Sequence, residues 1–112
     1  MNPIGIIDYC TYNGRPKGTI GSTFLRVDGL IANDKDFEVW TQGKKFGAVI
    51  FQKVYWLEYM KLYKGIKILD IADPDFQKPE ERGGFDLVKV SKYIDAITCS
   101  SEGLTKAVKK YV

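Results

Sequence analysis

The sequence predicts an α/β fold in which a mostly parallel five-stranded sheet lies between layers of helices. Two observations predict it. Short apolar segments alternate along the chain with segments of helical periodicity. The apolar segments lack the alternation of polar and apolar residues that is typical of strands with one solvent-exposed face. Such alternation favours parallel strands joined by right-handed helical crossovers. We therefore expect a Rossmann-like three-layer α/β/α sandwich, with residues 1–112 forming a single domain.

The first part of the chain contains two predicted strands and one predicted helix. The segment Pro3–Asp8 is a short apolar run that ends in a carboxylate, and it predicts the first strand. Residues 9–21 are rich in glycine and predict a loop. Ser22 can cap a helix, because apolar side chains follow it at helical spacing. The second predicted strand is Phe37–Trp40.

The rest of the chain completes the alternation. The apolar run Phe46–Phe51 predicts a strand that is buried on both faces. A helix is predicted over Tyr55–Tyr63 and ends at Gly65, and Ile66–Ala72 is the fourth strand. A polar loop is predicted over residues 76–84. The last predicted elements are a helix over Phe85–Tyr93, a fifth strand over Asp95–Cys99 and a final helix capped by Ser101.

Composition excludes several kinds of site. The chain has no histidine, which excludes His-dependent triads and imidazole metal sites, and its two cysteines are too few for a disulfide framework. We therefore expect a reducing, cytoplasmic location, with neither a metal nor a cofactor. The net charge of +3 is dispersed, so nucleic acid is not an expected partner. The longest apolar run is far shorter than the roughly 20 residues that a membrane helix needs, so no membrane span is expected.

Polar side chains follow the predicted strands, and in a parallel sheet the carboxyl ends of the strands share one edge. Either these residues form a ligand site there, or they are polar because loops are solvated. They are Asp8, Tyr9 and Cys10 after the first strand, Gln52 and Lys53 after the third, Asp73 and Asp75 after the fourth, and Ser100, Ser101 and Glu102 after the fifth.

Two helix starts at this edge have alternative interpretations. Gly21 and Ser22 place backbone amides at a helix N-terminus, which favours anions, and Arg26 adds a charged donor one turn later. The alternative there is a flexible surface loop. Similarly, Ser100 and Ser101 either bind a ligand or only cap the final helix.

Three further groups are ambiguous. Asp73-Pro74-Asp75 matches a DxD pattern that binds divalent metal ions, but Asp-Pro is also a common start of a turn. Asp70 lies inside a strand and needs a partner if it is buried, for which Lys53 is a candidate. The cysteines Cys10 and Cys99 fit small buried thiols better than a nucleophile, because no histidine can activate them.

Three segments together resemble the N-terminal half of GT-B glycosyltransferases of the family-4-like group. They are Val49-Ile50-Phe51-Gln52-Lys53, the stretch from Gly65 to Phe76 that reads GIKILDIADPDF, and the stretch from Asp95 to Leu104 that reads DAITCSSEGL. In addition, residues 21–27 are similar to the S-x-x-R entry into the first helix of such domains. The resemblance covers residues 4–108, and Phe76 stands where the family has tryptophan.

The resemblance implies an acceptor-side domain of an enzyme that transfers a sugar from a nucleotide-sugar. Such a domain is not expected to catalyse the transfer without a donor-binding half, and the chain stops at Val112, where the linker to that half would begin. A sugar acceptor or a nucleotide-sugar is the implied ligand. The implied ligand-binding residues are Gly21, Ser22, Arg26, Lys53, Asp73, Ser100, Ser101 and Glu102; no catalytic residue is assigned.

Two alternatives use the same fold. In the first, the chain is a stand-alone binding or protein-interaction module, and the open cleft edge contacts a second domain or a second copy. The second is a response-regulator receiver, which requires a phosphoacceptor aspartate after the third strand. The sequence has Gln52-Lys53 at that place, so a receiver is not expected.

Overall fold

The computed structural model describes residues 2–8 and 35–112. The predicted glycine-rich loop and the helix after Ser22 lie outside these residues. The described elements are β1 (Ile4–Ile7), β2 (Phe37–Val39), β3 (Ala48–Gln52), α1 (Leu57–Leu62), β4 (Ile66–Ile71), a 3₁₀ turn (Asp75–Gln77), α2 (Leu87–Ser91), β5 (Ala96–Cys99) and α3 (Glu102–Val108).

The five strands form one parallel sheet in the order β2-β1-β3-β4-β5. The chain leaves β1 for one edge of the sheet and returns to β3 on the other side of β1. The order of the strands therefore reverses between β1 and β3. This arrangement confirms the α/β, Rossmann-like expectation. In such sheets, ligands bind outside the carboxyl ends of the strands, next to the point of reversal.

One face of the sheet carries the hydrophobic core. Val49 and Phe51 of β3 and Leu69 and Ile71 of β4 are completely buried on this face. They belong to one cluster with apolar side chains of all three described helices, including Met60 of α1. Since side chains alternate along a strand, the neighbours of these residues point to the opposite face.

Strand β3 begins at Ala48 and not, as predicted, at Phe46. The Gly47 N–H donates to the carbonyl oxygen of Pro3 over 2.9 Å, before the strand pairing begins. The Phe46 ring lies over Gly5 of β1, where an added Cβ would be 2.8 Å from the ring. The apolar run is therefore longer than the strand, because Phe46 fills a space that only glycine leaves open.

Most other predicted elements are one or two residues longer at an end than the observed ones, as for the helix predicted over Phe85–Tyr93 and observed over Leu87–Ser91. Two differences have a cause in tertiary packing. Helix α1 begins at Leu57 and not at Tyr55, because the Tyr55 ring stacks on Phe85 outside the helix. The segment 76–84, predicted as a polar loop, shares its first two residues with the 3₁₀ turn and includes Phe76, which is only 2% exposed. Phe76 contacts Phe85 and Tyr111, so this loop contributes to the core.

The described helices are short, and the longest of them, α3, has seven residues. In residues 2–8 and 35–112, no helix has the length and apolar character required to cross a membrane.

Candidate functional site at the carboxyl edge of the sheet

A row of polar side chains crosses the carboxyl edge of the sheet on the face opposite the core. Gln52 pairs with Asp70, and Asp70 pairs with Thr98, in the register of β3, β4 and β5. Asp8 lies one step beyond the pair of Ile7 with Phe51, which brings it level with Gln52. Asp8 and Gln52 are each 1% exposed and Asp70 is 4% exposed, whereas Thr98 is exposed. The topology therefore places three buried polar groups side by side.

Asp70 is the centre of this row. Its carboxylate accepts a hydrogen bond of 2.7 Å from the hydroxyl of Thr98. Its carbonyl oxygen accepts a 3.0 Å bond from the backbone N–H of Lys53. The sequence suggested the ammonium of Lys53 as a partner for the Asp70 carboxylate, but the structure shows that ammonium paired with Asp73.

Lys53 follows β3 in an unusual backbone conformation. Its φ of 57° lies in the left-handed region, which residues other than glycine rarely adopt. Its Nζ lies 2.5 Å from the Oδ2 of Asp73, and the side chains of Lys53 and Asp73 are 18% and 49% exposed. Backbone strain of this kind is concentrated at functional sites. The pair therefore combines a held cation with a carboxylate that solvent can reach.

The second aspartate of the Asp73-Pro74-Asp75 turn has a different partner. The hydroxyl of Tyr55 donates to Oδ2 of Asp75 over 3.3 Å. The Tyr55 ring stacks on Phe85 with 3.6 Å between ring centroids. Burial, and secondly the charge of Asp75, raises the pKa of the Tyr55 phenol, so Tyr55 stays protonated and continues to donate.

The two carboxylates of this turn thus contact separate donors. Within the described ranges, no group of three or more Asp, Glu or Cys side chains is arranged to hold a metal ion. The geometry favours hydrogen bonding at this turn over coordination by oxygen ligands.

The start of α3 forms the third part of the edge. The backbone N–H of Ser100 donates to the carbonyl oxygen of Ile71, which ties it to the end of β4. The hydroxyl of Ser101 accepts a 3.1 Å bond from the backbone N–H of Leu104, so it caps the helix. Glu102 is exposed in the first turn, where a negative charge favours the helix dipole. The capping interpretation of Ser101 is realised in the geometry, and Ser100 keeps an exposed hydroxyl near the turn.

The structure brings five of the eight predicted ligand-binding residues to one edge: Lys53, Asp73, Ser100, Ser101 and Glu102. Gly21, Ser22 and Arg26 lie outside the described residues.

Sequence reasoning missed Tyr55 and Thr98. Thr98 could have been found from the pairing of adjacent parallel strands, because it lies opposite Asp70 in the register of β4 and β5. For Tyr55 there was no local signal, since its partner lies 20 residues away.

The cysteines contribute no pair that the structure describes. Cys99 is a free, half-buried thiol at the end of β5, on the core face of the sheet. Cys10 lies outside the described residues.

The edge can both donate and accept hydrogen bonds. The Lys53 ammonium can donate, whereas the Ser100 hydroxyl, whose proton bonds to the carbonyl oxygen of Ala72, and the half-exposed Asp73 carboxylate can accept. This combination suits the hydroxyl groups of a polyol, each of which both donates and accepts. Neither a protein-family model, nor a curated protein, nor a solved structure matches this chain.

Proposed function

We propose that the chain is the acceptor-side, sugar-binding domain of a glycosyltransferase-like protein. The observation that carries the proposal is the Lys53–Asp73 pair, held at the carboxyl edge beside the buried row of Asp8, Gln52 and Asp70. The sequence resemblance to the N-terminal half of GT-B glycosyltransferases supports the same function. No residue of the described chain is assigned a catalytic role.

The charges of the described edge favour a neutral sugar. Two partly exposed carboxylates, of Asp73 and Asp75, lie at the described turn with one lysine, Lys53. A nucleoside diphosphate would bring negative charge towards these carboxylates, and like charges at short range repel. Sugar hydroxyls can instead donate to Asp73 and accept from Lys53. The acceptor sugar is therefore the favoured ligand of this domain.

The test is a titration of the isotopically labelled chain with neutral methyl glycosides, followed by backbone amide chemical shifts. We expect saturable shifts at Lys53, Asp73 and Ser100 at millimolar sugar. Asp73→Asn weakens the shifts because an amide cannot accept with both of its polar atoms. Lys64→Met, which changes an exposed lysine before β4, is the matched control and leaves the titration unchanged.

A nucleoside diphosphate serves as the competing probe in the same titration. Shifts at Lys53 and Asp73 that saturate with this probe but not with any methyl glycoside would overturn the assignment to an acceptor sugar. Absence of shifts with either probe would overturn the binding function of this edge.

A further inference from the structure

A groove lies between the end of α2, the strand β5 and the helix α3. It is open to solvent and has a volume of about 340 Å³. Its apolar lining includes Ile94, Ile97 and Val108, and the half-exposed Val112 stands at its rim. A cavity of this size falls in the range of small-ligand and side-chain pockets. It is not part of the candidate sugar site.

The groove runs along an edge of the sheet. Among the strands of residues 2–8 and 35–112, β5 pairs only with β4 and is the last in the sheet order. Ala96 and Thr98 of β5 are exposed. Alternate backbone N–H and C=O groups of such a strand point away from its neighbour and can pair with another extended chain. An edge strand beside a helix, with an apolar groove between them, is the arrangement that binds peptides by strand addition.

The charge around the groove indicates the chemistry of the partner. Lys109 lines the groove at the end of α3, Lys106 lies about one helical turn before it on α3, and Lys110 follows it directly in the chain. All three lysines are exposed. The one acidic residue of the lining, Asp95, directs its carboxylate at the backbone N–H of Lys67 over 2.8 Å. The rim of the groove is therefore positive.

We propose that the groove between β5 and α3 binds an extended acidic peptide, which adds a strand to the edge of the sheet at β5. Apolar side chains of the peptide enter the groove over Ile97 and Val108. Its acidic side chains lie against Lys106, Lys109 and Lys110. The open backbone edge provides affinity, and the lysines select for negative charge.

The probe is a short synthetic peptide of alternating glutamate and valine, capped at both ends. We expect saturable amide shifts in Ala96–Cys99 and slower hydrogen exchange of the β5 amides on binding. Lys109→Glu weakens binding several-fold because it reverses the charge beside the groove. Lys64→Glu makes the same change on an exposed lysine away from the groove, and it leaves the affinity unchanged.

Two control probes separate the parts of the proposal. The same peptide, N-methylated at alternate residues to block strand pairing, loses binding if its backbone pairs with β5. A peptide of alternating lysine and valine binds more weakly if the charge of the rim matters. If the N-methylated peptide bound as tightly as the parent peptide, strand addition would be overturned. If the lysine–valine peptide bound as tightly as the glutamate–valine peptide, selection for negative charge would be overturned.

Other occupants would also be visible. Oligothymidylate that shifts the β5 amides as strongly as the acidic peptide would mean a general polyanion patch, and would overturn the proposal. Sedimentation could instead show dimers that form as the concentration rises and in which the β5 amides are protected from hydrogen exchange. That result would assign the groove to a second copy of the chain and would overturn the proposal.

Discussion

Lys53 shows how a single backbone conformation can position a charge at the edge of the sheet. Its left-handed φ of 57° turns the chain directly after β3, and its ammonium then contacts Asp73 on the neighbouring strand end. For an L-residue, this region of φ costs roughly 1–2 kcal/mol. Glycine would adopt this φ with less strain, but it would not supply the cation.

Two substitutions at this position separate the strain from the ion pair. Lys53→Gly and Lys53→Ala both delete the pair with Asp73, but only glycine relieves the left-handed strain. We expect Lys53→Gly to exceed Lys53→Ala in free energy of unfolding by about 1 kcal/mol. Urea denaturation of both variants measures the difference. Equal midpoints for the two would show that the backbone at residue 53 is not strained.

Tyr55 gives a prediction for alkaline pH. Burial and the Asp75 carboxylate raise the pKa of its phenol in the folded chain above the ordinary value of about 10. Below that pH both the folded and the unfolded states keep the proton, so the full contribution to stability is present. Above it the unfolded chain loses the proton first, and the free energy of unfolding falls by up to about 1.4 kcal/mol per pH unit.

The measurement compares urea unfolding of the parent chain and of Tyr55→Phe on either side of pH about 10. The parent is expected to lose more stability than Tyr55→Phe over this interval. Tyr111→Phe, which changes a phenol on the exposed Tyr111, should behave as the parent does. If Tyr55→Phe and the parent lost stability in parallel, the phenol of Tyr55 would not be linked to folding.

At the scale of elements, the cap of α3 determines how the last part of the edge is ordered. The Ser101 hydroxyl satisfies the backbone N–H of Leu104, one of the donors that a helix leaves unpaired at its start. Ser101→Ala is expected to cost about 1 kcal/mol of stability. Ser101→Asp should retain the stability of the parent, because a carboxylate accepts the same bond and favours the helix dipole.

Thermal denaturation of the two Ser101 variants measures this cost, and Ser100→Ala is the comparison. The Ser100 hydroxyl makes only a 3.3 Å bond, to the carbonyl oxygen of Ala72, so its removal should matter less. Were Ser101→Ala and Ser101→Asp to unfold together, capping would not be the role of this hydroxyl.

The sequence predicted the elements better than it predicted their ends. Apolar runs revealed the central strands, because a parallel sheet buries both of their faces. The observed ends differ from the predicted ones where a side chain near the end packs against a distant part of the chain. Phe46 fills the space over Gly5, Tyr55 stacks on Phe85, and Phe76 enters the core. Periodicity along the chain contains no information about such distant partners.

At the scale of the whole molecule, topology explains why half of the candidate site was predictable. Once the strands are parallel, Lys53, Asp73 and Ser100 must follow strand ends at one edge, and the structure places them there. The pairings within the edge were not predictable. Whether Lys53 contacts Asp70 or Asp73 depends on the left-handed turn after β3. A lysine in the sequence does not predict such a turn.

The sheet also predicts how stability is distributed through the molecule. Strands β3 and β4 are paired on both sides, and their core-facing residues Val49, Phe51, Leu69 and Ile71 are completely buried. Within the described sheet, β5 pairs only with β4, and Ala96 and Thr98 among its residues are exposed. Native-state hydrogen exchange should therefore be slowest in β3 and β4, which open only on global unfolding, and faster in β5, which can open locally.

Val49→Ala tests this distribution. Removing two methylene equivalents from a fully buried side chain costs about 2 kcal/mol. If the amides of β3 and β4 exchange only through global unfolding, their exchange free energies should all fall by that amount. The amides of β5 should keep theirs, because local opening does not break the contacts of Val49. A uniform fall that includes β5 would mean that the edge strand opens only with the rest of the sheet.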